Sequence, residues 1–60
     1  MNLWIARDKD GSLYLYREKP YKCRSLFICD MGNGMWLDKT QFPEVTFENS
    51  PREIELKLIE

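Results

Sequence analysis

The chain has 60 residues, a formal net charge of −1, and 43% hydrophobic against 32% charged residues. This length allows one domain at most, and the composition excludes a disordered chain. Histidine is absent, which removes the commonest general base, metal ligand and pH switch and argues against most enzymes. We therefore predict a single non-enzymatic domain over residues 1–60, without a cofactor.

An antiparallel hairpin is predicted over residues 2–18. Its strands flank the sequence Asp-Lys-Asp-Gly at positions 8–11, where Asp favours a turn and Gly supplies the positive φ that closes a hairpin with a bulge. After the turn, Leu13 and Leu15 alternate with two tyrosines. Because strand side chains alternate between faces, the tyrosines should lie opposite the leucines.

Further short strands follow this hairpin. Pro20 ends the second strand near Lys19, because proline cannot donate to a central ladder. Apolar or alternating segments predict strands at 24–29, 35–37 and 45–48. Residues 38–43 are expected to form a loop or a single helical turn, with Asp38 as its cap.

The C-terminal segment fits two readings. Residues 50–53 (Ser-Pro-Arg-Glu) resemble a helix start, with a cap residue, Pro at the first position and Glu three residues after the cap. However, Ile54, Leu56 and Leu58 recur at every second residue, which would place them on one face of a strand. We favour the strand.

Five or six short strands joined by tight turns predict an all-β fold. We expect a small curled antiparallel meander that forms a partly open barrel of the SH3-like kind, because no helix is long enough to cover its apolar face. The predicted core consists of Leu3, Ile5, Leu13, Leu15, Leu26, Ile28, Leu37, Val45, Phe47, Ile54, Leu56 and Leu58.

The segment 17–24 contains four cationic residues and one carboxylate, with tyrosines close by in the sequence. Proteins bind single-stranded nucleic acid with cationic side chains along the phosphates and aromatic rings stacked on the bases. The same cations also suit a solvated strand end that resists aggregation. Exposed Tyr and Trp are typical of protein-binding surfaces. The candidate binding residues are Tyr14, Tyr16, Arg17, Lys19, Tyr21, Lys22, Arg24 and Trp36.

The aromatic side chains have other possible places. The chain has eight Phe, Trp and Tyr residues, many for so small a core. A curled sheet could wrap them at its ends, or a dimer could bury them. The sequence leaves these alternatives open.

Other chemistry finds little support in the sequence. Cys23 and Cys29 are expected to be reduced packing residues, with a disulfide as the alternative, and two Cys without His cannot complete a four-ligand zinc site unless carboxylates join. The N-terminus lacks the basic region and apolar run of a signal peptide, and the apolar runs are too short to span a membrane. We expect a cytoplasmic protein that does not enter membranes.

Two stretches, LWIARDKDGSLYLY at 3–16 and QFPEVTFE at 41–48, resemble a group of small uncharacterised bacterial proteins, some of them from prophage-like settings. The resemblance covers both ends of the chain and less of the middle. It implies a one-domain β protein and carries no assigned activity or site residues.

The first functional hypothesis is a protein-interaction module that binds a protein partner through exposed aromatic residues or a sheet edge. The alternative is a weak single-stranded nucleic-acid binder that uses the basic and aromatic segment. A homodimer is compatible with both, with the apolar C-terminal strand pairing across a two-fold axis.

Overall fold

The computed structural model describes residues 2–30, 32 and 34–55. Within these residues the secondary structure consists of strands and turns, without a helix, which confirms the predicted all-β fold. None of these residues belongs to a helix that could cross a membrane. The strands are β1 (Asn2–Arg7), β2 (Leu13–Tyr16), β3 (Tyr21–Cys23), β4 (Leu26–Ile28), β5 (Met35–Leu37) and β6 (Arg52–Glu55).

The strands form two antiparallel sheets. β1 and β2 are the centre of a four-stranded sheet with the order β5-β2-β1-β6, and β3 and β4 form a separate hairpin. The predicted first hairpin is confirmed: Gly11 has a φ of 98°, its N–H donates to the Asp8 carbonyl at 3.0 Å, and Asp8 N–H donates to the Ser12 carbonyl at 2.8 Å. The arrangement is open, and the strands do not close into a barrel.

Each face of the four-stranded sheet carries a buried cluster. On one face, Ile5 and Leu13 pack with Val45 from the loop before β6. On the other face, Ala6, Tyr16 and Phe27 form a second cluster, against which several aromatic residues pack. The β3–β4 hairpin supplies Phe27 and thus covers this aromatic face. A second layer, rather than closure into a barrel, buries the tyrosine side of the sheet.

The predicted core needs one correction, which concerns the face of β4. The sequence predicts Leu26 and Ile28 inside, but they are 41% and 37% exposed, whereas Phe27 between them is only 4% exposed. Phe27 packs edge-on against Phe47, with ring centroids 5.8 Å apart. The larger aromatic ring takes the inner position, and strand alternation then directs both aliphatic neighbours outward.

Two predicted strands also differ from the structure. The segment 24–29 is a strand only at 26–28, because Arg24 and Ser25 form the turn of a hairpin whose first strand, β3, was not predicted. The segment 45–48 is not a strand. There, Asn49 accepts a hydrogen bond from Thr46 N–H at 2.8 Å and donates its own N–H to Thr46 Oγ1 at 3.1 Å, so local side-chain bonds replace a ladder.

The remaining predictions concern the loop after β5 and the C-terminal segment. Residues 38–43 form turns without a helix, and Asp38 Oδ1 accepts from Thr40 N–H at 2.9 Å as an Asx turn. The C-terminal segment is a strand over 52–55, as favoured. Leu56 and Leu58 lie outside the described residues.

Candidate functional site

The structure divides the four aromatic candidates into two groups. Tyr14 and Tyr16 lie on the sheet face opposite Leu13, as alternation predicted, but that face is covered and Tyr16 is only 6% exposed. Tyr21 and Trp36 are exposed. Tyr16 therefore belongs to the core, Tyr14 is half-buried against it, and the rings of Tyr21 and Trp36 remain at the surface.

Tyr16 is held in the interior by a polar contact as well as by packing. Its hydroxyl donates to the Phe27 carbonyl at 3.3 Å, and burial, the largest cause, raises the pKa of the phenol to about 12. Gly34 lies against the same ring: a Cβ added at this glycine would stand 2.7 Å from Tyr16 Cε1. The ring thus has no room for a ligand to stack on that side.

Two of the candidate cations lie over aromatic rings. Lys19 Nζ is 5.4 Å from the centre of the Trp4 ring, and Lys22 Nζ is 4.2 Å from the centre of the Phe47 ring. These are cation–π distances, and the lysine stems cover aromatic surface while the charge stays in solvent. Arg17 and Arg24 are exposed. Half of the predicted cationic set therefore takes part in packing.

The β3–β4 hairpin is hydrogen-bonded to the turn between β1 and β2. Lys9 N–H donates to the Ser25 carbonyl at 2.9 Å, and Phe27 N–H donates to Asp8 Oδ1 at 3.0 Å. Partial burial is the main cause that raises the pKa of Asp8, against the opposing effect of the bond from Phe27. These bonds anchor the hairpin, and because Phe27 faces inward, its strand neighbours face outward.

The outward side of the hairpin is an exposed apolar surface, which we call the outer hairpin face. It consists of two cross-strand pairs, Tyr21 with Ile28 and Cys23 with Leu26, and all four side chains are exposed. Tyr21 is 47% exposed, and its hydroxyl donates to Asp30 Oδ1 at 3.1 Å. This hydrogen bond is the main cause that raises the pKa of Tyr21 and fixes the position of its ring.

At the tip of the hairpin, the cationic residue Arg24 has a backbone conformation that is unfavourable for residues other than glycine. Arg24 and Ser25 form the two-residue loop between the paired Cys23 and Leu26, and Arg24 has a φ of 58°. Glycine and asparagine are the usual residues where such loops require positive φ, and other residues cost about 1–3 kcal/mol there. Backbone strain of this kind is often found at functional sites.

A cleft of about 360 Å³ lies between the hairpin and the sheet. Tyr14 and Tyr16 line it from the sheet, and Leu26 and Ile28 line it from β4. Leu26 and Ile28 thus border both the cleft and the outer hairpin face.

Arg7 is the residue that sequence reasoning missed. Arg7 is one of nine Lys and Arg residues in the sequence, yet its guanidinium makes five hydrogen bonds to backbone carbonyls. The acceptors are Val45 (2.5 Å), Gly11 (2.8 Å), Lys39 (3.0 Å), Gln41 (3.0 Å) and Phe42 (3.1 Å). The side chain therefore holds the loop after β5 in place, and no local sequence motif predicts this structural role.

The two cysteines have different environments. Cys23 is exposed on the outer hairpin face, whereas Cys29 packs against the aromatic cluster on the inner side. Both are free thiols. Within residues 2–30, 32 and 34–55, no group of three or more Cys, Asp or Glu side chains is arranged to hold a metal ion.

Comparisons with protein-family models, with curated proteins and with solved structures gave no match to this chain. The functional argument therefore rests on the geometry of the outer hairpin face and of the exposed strand edges.

Proposed function

We propose that the protein is a small non-enzymatic interaction module, and that its outer hairpin face binds an apolar segment of a protein partner. The observation that carries this proposal is the anchored hairpin with Tyr21, Cys23, Leu26 and Ile28 exposed together on its free side. A contiguous exposed apolar surface on a small domain is typical of a binding site.

The anchoring matters for affinity. Because Ser25 and Phe27 of the hairpin are hydrogen-bonded to Lys9 and Asp8 in the β1–β2 turn, the hairpin does not have to fold when a partner binds. Tyr21 is oriented by Asp30. A preorganised surface loses less conformational entropy on binding, so more of the contact energy contributes to affinity.

Arg24 adds a charge preference to this surface. It stands at the tip of the hairpin, next to the Cys23–Leu26 pair. An apolar partner segment that also carries a carboxylate would satisfy both features, since a guanidinium pairs with a carboxylate in bidentate geometry. We therefore expect acidic residues beside the apolar ones in the partner.

The proposal is tested by selecting binders from a displayed library of random short peptides. We expect enriched peptides to combine aliphatic or aromatic residues with Asp or Glu, and to lose at least about tenfold in affinity for the Leu26→Asp variant, a change of about 1.4 kcal/mol. Arg24→Gln should weaken only the peptides that carry a carboxylate.

Phe42→Ser is the matched control, because Phe42 is 42% exposed but lies in the loop after β5. This variant should bind the selected peptides as the wild type does. Peptides that bind Leu26→Asp unchanged, or a library that yields no binders, would overturn the proposal. Oligothymidine is included as a probe: binding that weakens with salt and survives Leu26→Asp would favour the nucleic-acid alternative.

A further inference from the structure

The two edges of the four-stranded sheet differ in their protection. β6, at one edge, carries Arg52, Glu53 and Glu55, all exposed. Charged side chains on an edge strand discourage pairing with another chain. β5, at the other edge, has the sequence Met-Trp-Leu and contains no charge. Only one edge therefore has the usual protection against strand addition.

The unprotected edge also exposes apolar side chains on both of its faces. Met35 is 65% exposed and Trp36 is 67% exposed. Consecutive strand residues point to opposite faces, so a strand added here would cover apolar surface above and below the sheet. Among the described residues, β2 is the only strand that pairs with β5.

We infer that the β5 edges of two copies of this chain pair antiparallel about a two-fold axis. If Trp36 lies at the axis, it stands opposite Trp36 of the second copy, and Met35 stands opposite Leu37 of that copy. Every cross-strand pair is then apolar, and the same edge serves both copies, as a two-fold interface requires. Aromatic and aliphatic cross-strand pairs of this kind stabilise sheets.

The charge of the chain permits this pairing. Each copy carries a formal charge of −1, so long-range repulsion between copies is small. A partner strand that carried charged side chains would place them against Met35, Trp36 or Leu37 without a counter-charge in β5. The second copy fits because it opposes apolar residues with apolar residues at each position.

The size of the contact sets the expected affinity. β5 has only three residues, and the buried area should fall below the ~1,200 Å² of stable specific interfaces. We therefore expect a weak dimer that dissociates on dilution, with a dissociation constant of about 0.1–1 mM.

Sedimentation equilibrium between about 10 µM and about 1 mM tests this inference directly, because the expected dissociation constant lies within that range. The wild type should shift from monomer toward dimer. Trp36→Lys and Met35→Lys should each remain monomeric, since a charge at either position is buried without a partner. Far-UV circular dichroism checks that both variants keep the fold.

Phe42→Lys is the matched control, because it places the same charge on an exposed apolar residue that belongs neither to β5 nor to the outer hairpin face. It should dimerise as the wild type does. A wild type that stays monomeric at the highest concentration would overturn the inference, as would loss of the dimer in Phe42→Lys with retention in Trp36→Lys. Neither result bears on peptide binding by the outer hairpin face, so the two proposals fail separately.

A spectroscopic measurement gives a second readout. The chain has two tryptophans, and Trp4→Phe leaves Trp36 as the only one. Its emission should shift to the blue as concentration rises, because pairing removes the ring from water. An emission maximum that does not change with concentration, while sedimentation shows a dimer, would place the contact elsewhere.

Discussion

At the scale of single residues, Arg7 has the most consequential side chain described. A guanidinium has five N–H donors in a fixed planar fork, and each of its nitrogens bonds to a backbone carbonyl in this protein. Two of the acceptors, Gln41 and Phe42, lie where the backbone of Phe42 adopts a φ of 50°. The arginine thus stabilises a loop conformation that the local sequence alone would not favour.

Arg7→Lys should destabilise the protein by about 2–4 kcal/mol, because an ammonium lacks the planar fork and leaves several carbonyls without a partner. Urea unfolding followed by circular dichroism measures this change. Arg17→Lys is the control at an exposed position and should change stability by less than about 0.5 kcal/mol. Equal effects of the two substitutions would contradict the structural role of Arg7.

Tyr16 predicts a pH dependence at alkaline pH. Its pKa rises from 10.0 to about 12 on folding, so the folded state holds the phenol proton more tightly than the unfolded chain. The contribution of Tyr16 to the free energy of unfolding is fully present below pH 10 and is lost as the pH rises through about 12. The free energy of unfolding, measured by urea titration across this window, should fall.

Tyr16→Phe separates this effect from that of other groups. It removes the bond to the Phe27 carbonyl at a cost of about 1 kcal/mol near neutral pH, and the decline in stability between pH 10 and 12 should become shallower. Tyr14→Phe should keep the decline, because Tyr16 is still present. An unchanged slope in Tyr16→Phe would show that its burial does not govern alkaline stability.

At the scale of elements, the sequence predicts the two hairpins to different degrees. The β1–β2 hairpin follows from its own turn residues, because Asp8 and Gly11 favour the observed turn. The β3–β4 hairpin has Arg24 at the position of positive φ, so its turn has no such signal. Contacts with the sheet through Phe27 override this local preference.

Arg24→Gly should therefore stabilise the hairpin by about 0.5–1 kcal/mol, because glycine adopts positive φ without the steric cost, which exceeds its extra entropy in the unfolded chain. Ser25→Gly, at the next residue, should instead destabilise, since no positive φ needs relief there. Thermal unfolding of both variants tests this. If Arg24→Gly is stabilising but weakens binding of carboxylate-containing peptides, the strained arginine serves the interaction.

At the scale of the whole molecule, burial on both faces of the sheet explains the many aromatic residues. A one-sided sheet would have left Tyr14 and Tyr16 in solvent, whereas the hairpin layer buries the aromatic cluster. The core is held by packing and hydrogen bonds, and both cysteines are free. Cys23 points outward and Cys29 inward, and they are separated along the hairpin, so they cannot bridge without distortion.

Stability should consequently not depend on reductant. Thermal unfolding in the presence and absence of a thiol reductant should give the same midpoint, and so should Cys23→Ser. Cys29→Ser should lower the midpoint, because Cys29 packs against the aromatic cluster and a hydroxyl there loses apolar contact. A midpoint that falls on reduction would require a disulfide and contradict the positions of the two thiols.

The sequence alone was enough to predict the all-β class, the first hairpin and β5, and to favour a strand over a helix at the C-terminal segment, because alternation and turn residues act within a few positions of one another. The tertiary structure decided which side of β4 faces inward, where Tyr16 lies and what Arg7 binds. These depend on contacts between distant segments, such as Arg7 with Val45 and Phe27 with Phe47. Such contacts, rather than local preference, left the outer hairpin face and the β5 edge exposed.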